Sequence, residues 1–273
     1  MNKFQGHAVT GTFFFLFGTW WTFAMWLNYV RKRENKQRYL SRCSYAVPGL
    51  PRKLSIEGIV KIIGASVCLA SDLSHIFRID HSLNAESVQH NSMYAFFLLN
   101  GVVDVMYNAG FPLPPHADYV ALLLTITSEG LMFHLHLQGK PLLNVMIHTL
   151  LVYTSVALVV SIVAEMCRPR SVLASLGRAY VCVLHGTWLL QIGFILYNPL
   201  PGYKPWEVDS HMDLMLAASV FTWHMMAVLV YVGALGAVAW AVNRTCGRFC
   251  SDVVSVDAEE VGDLHEALLK HGV

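Results

Sequence analysis

One carboxylate and three imidazole side chains lie within the apolar segment EGLMFHLHLQGKPLLNVMIHTLL, residues 129–151: Glu129, His134, His136 and His148. Carboxylate and imidazole groups carry protons in proteins and are common ligands of Zn²⁺. An ionised side chain at the centre of a bilayer costs roughly 2.5–3.5 kcal/mol on insertion scales, so such groups usually face a protein interior or a watery cavity. We therefore expect the polar face of this segment to be turned away from lipid.

Polar residues elsewhere in the apolar runs extend this group. The short connection QGKP predicts that Glu129 and His148 lie at similar depth on adjacent helices. His136 follows Glu129 by seven residues and shares its helical face. His134 points about 200° away from His136 on a helix, so we expect only one of the two in the cluster. The predicted intramembrane cluster consists of His7, His90, Asp104, Glu129, His136, His148, Gln191 and His224.

Several kinds of site fit such a cluster. One is a structural network in which Glu129 accepts hydrogen bonds from His148 or His136 and specifies helix packing. Another is a proton relay through titratable groups at different depths. A third is a haem held by facing histidines of the last two helices, such as His185 and His224. The remaining one is a Zn²⁺ site, although the spacing is not that of a known zinc motif; its ligands would be Glu129, His136, His148 and His90.

The composition is that of a membrane protein. Of the 273 residues, 55% are hydrophobic and 14% are charged, whereas soluble domains carry about 25% charged residues. The net charge of +1 supplies no basic surface for nucleic acid. Two of the six cysteines, Cys246 and Cys250, follow the last apolar run, where S-acylation occurs in many membrane proteins, so both are candidates for that modification.

Seven apolar runs are each long enough to cross a bilayer, which requires about 20 residues. The connections between them are short, so the sequence predicts an all-α membrane protein built as a seven-transmembrane helix bundle over residues 1–243. Residues 244–273 are predicted to form a short acidic cytosolic tail. The spans are predicted at about 8–30, 54–77, 91–110, 117–137, 142–166, 172–197 and 212–242.

Lysine and arginine residues are concentrated on one side of the predicted bundle. Segment 31–53 alone holds eight of them, whereas only four lie on the opposite side. Because basic loops of membrane proteins face the cytosol, we predict an outside or lumenal N-terminus and a cytosolic C-terminus. Lys61 and Arg178, near the cytosolic ends of their helices, are expected to snorkel to the membrane surface. Loop 31–53 and tail 244–273 are candidate surfaces for protein partners.

Five motifs resemble the transmembrane protein 45 family. This resemblance implies seven-span proteins without an assigned activity, in Golgi, endosomal or lysosomal membranes and partly at the cell surface. His185 stands where that family carries Gln, which argues against haem. The motifs are GHAVTGTFFFLFG (6–18), QHNSMYAFF with GVVD (89–97 and 101–104), EGLMFHLHLQGKPLLNVMIHTLLVY (129–153), GTWLLQIGFILYNP (186–199) and WH (223–224).

Residues and resemblance together predict a multi-pass protein of the endomembrane system with a polar site in the outer half of the bundle. The predicted role is non-enzymatic, either trafficking or the binding of an ion, a proton or a lipid. The alternative is an intramembrane Zn²⁺-dependent lipid amide hydrolase, in which metal-bound water attacks the amide. Seven-span hydrolases such as alkaline ceramidases carry a His-x-x-x-His pair in the last span, whereas His224 stands alone here.

Overall fold

The computed structural model describes residues 3–51, 53–76, 85–202 and 204–245. The described residues form helices and contain no strand, so the prediction of an all-α protein is confirmed. A helix lies over most of each of the seven apolar runs. The helices are α1 (Lys3–Glu34), α2 (Ile56–His75), α3 (Ala85–Asn108), α4 (Ala117–Leu135), α5 (Leu142–Cys167), α6 (Val172–Tyr197) and α7 (His211–Thr245).

Local sequence signals set several of the helix ends. The hydroxyl of Ser55 accepts a hydrogen bond from the backbone N–H of Gly58 at the start of α2, and Ser171 does the same for Ala174 at the start of α6. Such side chains satisfy one of the donors that a helix N-terminus leaves unpaired. Gly110 follows α3 with a φ of +83°, a left-handed conformation that ends many helices.

Four of the helices are long and apolar enough to cross a membrane, namely α1, α5, α6 and α7. Helices α2, α3 and α4 are not among these four. Seven membrane crossings and their orientation therefore remain predictions. For reference we call the end of the bundle where α1, α3, α5 and α7 begin the upper end, and the opposite end the lower end.

Helices α1 and α6 pack closely at the centre of the bundle. A Cβ added at Gly186 would lie 2.8 Å from the carbonyl oxygen of Gly11 and would overlap the backbone nitrogen of Phe15. Helices α2 and α3 cross in the same way, because a Cβ at Gly58 would lie 2.8 Å from the carbonyl oxygen of Gly101. Only a residue without a side chain permits these approaches, as is common where membrane helices pack.

The apolar side chains divide between the packed interior and the outer surface. Buried residues such as Met25, Ile162 and Trp188 form the core. The outer faces of α5 and α7 expose large apolar side chains, including Val160 and Leu229. An exposed apolar surface of this extent is what a surrounding lipid phase requires.

Ion pairs close the lower end of the bundle, where Lys61 and Arg178 lie. Their predicted snorkelling is wrong: Lys61 is 3% exposed and Arg178 is 0% exposed. Lys61 Nζ lies 2.6 Å from Asp104 Oδ2, and Arg178 pairs with Glu165. A buried cation is strongly destabilising unless an opposite charge lies beside it, and each of these two cations has such a partner within the bundle. These pairs join α2 to α3 and α5 to α6.

The loop between α1 and α2 is tied to this lower end. The guanidinium of Arg178 donates hydrogen bonds to the carbonyl oxygens of Arg42 (2.9 Å) and Cys43 (3.2 Å). Glu57 of α2 accepts a hydrogen bond from the backbone N–H of Tyr45 in this loop (2.8 Å). The basic loop is therefore a folded cover over the lower end, held by side chains of α2 and α6.

Candidate functional site

A cavity of about 350 Å³ lies among helices α1 to α6. It extends from the upper end, where Lys3 and Lys140 line it, to Lys61 near the start of α2. Aromatic and other apolar side chains form much of its wall, among them Phe13, Phe14, Met93, Phe97 and Phe133. The charged and imidazole side chains that line it are Lys3, His7, Lys61, Asp72, His90, Glu129, His136, Lys140 and His148.

Four of the predicted cluster histidines line the upper part of this cavity as two ring pairs. The rings of His7 and His148 meet edge to face with centroids 5.8 Å apart, and those of His90 and His136 lie 6.2 Å apart. They come together because each lies near the upper end of its helix. His134 is exposed, so His136 alone of that pair joins the cavity.

Backbone carbonyls orient two of these imidazoles. His7 Nδ1 lies 2.9 Å from the carbonyl oxygen of Lys3, and His148 Nδ1 lies 2.9 Å from that of Asn144. A carbonyl oxygen can only accept, so Nδ1 carries the hydrogen in both rings. Nε2 is consequently the nitrogen that gains a proton when either ring becomes charged.

Glu129 lines the cavity more deeply and contacts a residue outside the predicted cluster. Its Oε1 lies 3.8 Å from Nε2 of His185, while His185 Nδ1 lies 2.8 Å from the hydroxyl of Thr154. Glu129 is 1% exposed and His185 0%. Among the described residues, neither Glu129 Oε2 nor His185 Nε2 has a hydrogen-bond partner. We expected His148 or His136 to donate a hydrogen bond to Glu129. The imidazole that lies beside Glu129 is instead that of His185.

The expected common depth of Glu129 and His148 is also wrong. A Cβ at Gly130 would lie 3.0 Å from Cβ of Ser155, so this part of α4 is level with Thr154 and Ser155 of α5. Six residues separate Thr154 from His148, which corresponds to about 9 Å along a helix. Helix α5 begins farther out than α4 ends, because residues 136–141 continue in turns before α5 starts.

Three members of the predicted cluster do not line the cavity. Asp104 pairs with Lys61 at the lower end. His224 on α7 packs edge to face on Trp188, with ring centroids 5.7 Å apart, and Gln191 is a half-buried residue of α6. His185 packs instead on Phe14, so the two histidines considered for haem have different neighbours.

The proposed zinc ligands Glu129, His136, His148 and His90 all line the cavity. In the described ranges, however, no three His, Cys, Asp or Glu side chains lie close enough to hold one metal ion. Zinc sites use three or four protein ligands, so these residues do not fit a preformed zinc centre. Cys246, Cys250 and most of the predicted tail fall outside the described residues.

The predicted cluster left out His185, which was considered only as a haem ligand, and Lys61. Both had a detectable signal. His185 lies in the middle of an apolar run, where an imidazole needs a polar partner. Lys61 is five residues from the start of α2, and Asp104 four from the end of α3. Antiparallel neighbours joined by a short loop place such positions at comparable depth.

The sequence matches a family that carries no assigned activity. It is described as a family of unknown function (DUF716), and the match covers residues 116–237. This segment includes Glu129, His136, His148 and His185, but not the cavity residues of α1 to α3.

Proteins named for the epididymis are similar to this chain. Transmembrane epididymal protein 1 of Homo sapiens is 31% identical over 139 residues, half of this chain and half of that protein. Its namesake in Rattus norvegicus is 25% identical over 258 residues, which cover 83% of this chain and 77% of the relative. Transmembrane epididymal protein 1A of Mus musculus is 30% identical over 108 residues, 40% of this chain and 32% of that protein.

These matches correct the resemblance to the transmembrane protein 45 family, which is wrong. Three of its five motifs begin within residues 116–237, the segment that matches DUF716. Short apolar motifs with few polar positions did not separate one group of membrane proteins from another. The names of the relatives and the four long apolar helices agree on an integral, multi-pass membrane protein.

Proposed function

We propose that this protein crosses the membrane seven times and binds a single-chain lipid in its cavity without transforming it. The cavity carries this proposal, because it joins a polar upper part to a deeper wall of aromatic side chains. Ligand sites in proteins have volumes of about 300–1,000 Å³ and combine apolar walls with a few polar groups. A site for water or a bare ion needs only about 10–15 Å³.

The lengths of α2, α3 and α4 support seven crossings. They contain 20, 24 and 19 residues, which correspond to about 30, 36 and 28 Å and so suit a hydrocarbon layer of about 30 Å. The charged residues that lower their hydropathy include Lys61, Asp104 and Glu129. All three are buried within the bundle, where membrane helices place ionisable groups.

We also propose that the upper end faces the outside or the lumen of an endomembrane compartment. The basic loop 31–53 covers the lower end, and basic loops face the cytosol. A glycosylation sequon inserted at 198–210, between α6 and α7, should receive glycan in microsomes. The same sequon at 168–171, between α5 and α6, should not. Glycan at the second site alone would reverse the orientation.

A cavity-filling variant tests lipid binding. Ala65 is buried and lines the cavity, whereas Val67, two residues away on α2, is 63% exposed. Ala65→Phe should reduce saturable binding of labelled single-chain lipids to the purified protein by about tenfold or more, whereas Val67→Phe should leave it unchanged. Binding that is absent from the wild type, or equal in the two variants, would show that the cavity is not a lipid site.

A further inference from the structure

We propose that the lipid bound in the cavity carries an anionic headgroup, a carboxylate or a phosphate monoester, at the upper end. This inference rests on the proposed lipid binding and specifies its chemical class. The upper part of the cavity is lined by six groups that carry or can acquire positive charge: Lys3, Lys140, His7, His90, His136 and His148. Among the described residues, Asp72 of α2 is the acidic side chain that lines this part of the cavity.

The deeper acidic group does not compete for this position. Glu129 lies about 9 Å below His148 along the helix direction, and its Oε1 faces Nε2 of His185. Lys61, at the far end of the cavity, is bound to Asp104. Glu129 and Lys61 therefore have their own charged or imidazole neighbours. Among the described residues that line the upper part, groups that carry or can acquire positive charge outnumber acids.

The orientation of the imidazoles suits an anionic acceptor. Nδ1 of His7 and of His148 donates to a backbone carbonyl, so Nε2 can donate to a headgroup only after it gains a proton. Two imidazolium rings 5.8 Å apart would repel each other, and an anion beside them offsets that repulsion. Binding of the headgroup should thus be accompanied by proton uptake.

The deeper wall accepts the acyl chain. The rings of Phe14 and Phe97 lie 5.7 Å apart, and Phe13 packs on Phe97 at 6.3 Å. These rings, with Met93, line the cavity between the histidines and Lys61. Because the ammonium of Lys61 is held by Asp104, its methylene groups can contact the end of a hydrocarbon chain.

Four probes with the same chain length test the headgroup: palmitate, 1-palmitoyl lysophosphatidate, monopalmitoylglycerol and hexadecylamine. The full-length protein in nanodiscs should bind one or both anions at least about tenfold more tightly than the neutral lipid and the amine. A preference for palmitate or for lysophosphatidate identifies the source of the anion. Affinity for the anion should rise as the pH falls and the imidazoles gain protons, and affinity for the neutral lipid should not.

Charge-removing variants locate the headgroup. Lys140→Gln and His148→Gln should each weaken anion binding by about five- to tenfold and leave monopalmitoylglycerol binding unchanged. Lys204→Gln is the matched control, because Lys204 is an exposed residue of another upper loop. Equal effects of Lys140→Gln and Lys204→Gln would overturn the assignment of the headgroup site. Equal affinity for all four probes would also overturn it. So would an affinity for the anion that does not change with pH. Failure of every probe to bind would instead refute lipid binding itself.

Discussion

Glu129 and His185 form a buried acid–imidazole pair between α4 and α6, with Oε1 of the acid 3.8 Å from Nε2 of the ring. The hydroxyl of Thr154 donates to the carbonyl of Leu151 at 2.7 Å. A hydroxyl has one hydrogen, so the Thr154 oxygen must accept a hydrogen bond from Nδ1–H of His185. Nε2 of a neutral ring would then present a lone pair to a carboxylate. The pair is balanced when it holds one proton between the two residues.

We expect that a neutral amide can replace the acid at Glu129. Glu129→Gln keeps a donor that can face Nε2 of His185, so it should cost no more than about 1 kcal/mol of unfolding free energy. Glu129→Ala removes the group that faces His185 Nε2 and opens a space, so its cost should be about 2–4 kcal/mol. Thermal unfolding in detergent measures both. Similar losses for the two variants would mean that the pair is a full ion pair.

Glycine substitutions on α6 should have opposite effects at two positions. Gly186→Ala places a methyl group against the backbone of α1 at Gly11 and Phe15 and should lower the unfolding temperature. Gly177→Ala adds a methyl group in open space, and alanine favours a helix over glycine by up to about 1 kcal/mol. This control should raise the unfolding temperature or leave it unchanged. A tolerated Gly186→Ala would contradict the close packing of α1 and α6.

The cover over the lower end should depend on the guanidinium of Arg178. Arg178→Lys keeps a charge for Glu165 but lacks the planar fork that reaches the carbonyls of Arg42 and Cys43. The loop should loosen, and maleimide should label the Cys43 thiol about tenfold faster, which is a change of about 1.4 kcal/mol in opening. Peptide mass spectrometry quantifies the labelling. Exposed Cys167 should react at the wild-type rate in the variant.

The same thiol predicts a loss of stability at alkaline pH. Burial raises the pKa of Cys43 well above its usual value, and the carboxylates of Asp118 and Asp104 add to the effect. In the unfolded chain the thiol titrates near about pH 8.5. Its contribution is therefore fully present below that pH and is lost as the pH rises above it.

Unfolding free energies at about pH 8 and pH 10 measure this loss. Cys43→Ala should lose less stability than the wild type over this interval. Cys167→Ala should behave as the wild type does, because Cys167 is exposed. An identical loss in Cys43→Ala and the wild type would assign the pH dependence to other groups.

The helices follow from local sequence. Apolar runs of about 20 residues, serines before α2 and α6, and glycine after α3 determine where helices form and stop, because each signal acts within a few residues of the chain. Position along each helix also indicated which histidines share a cavity. His7, His90, His136 and His148 each lie near the upper end of their helices.

Only the tertiary structure decided which polar groups meet. The pairing of Glu129 with His185 depends on how far α4, α5 and α6 are shifted along their axes relative to one another. A shift of six residues moves a side chain by about 9 Å, more than the reach of any hydrogen bond. The helical pattern within a segment contains no information about that shift. The packing of Gly130 against Ser155 sets the shift between α4 and α5, and the buried pair of Arg178 and Glu165 sets the shift between α5 and α6.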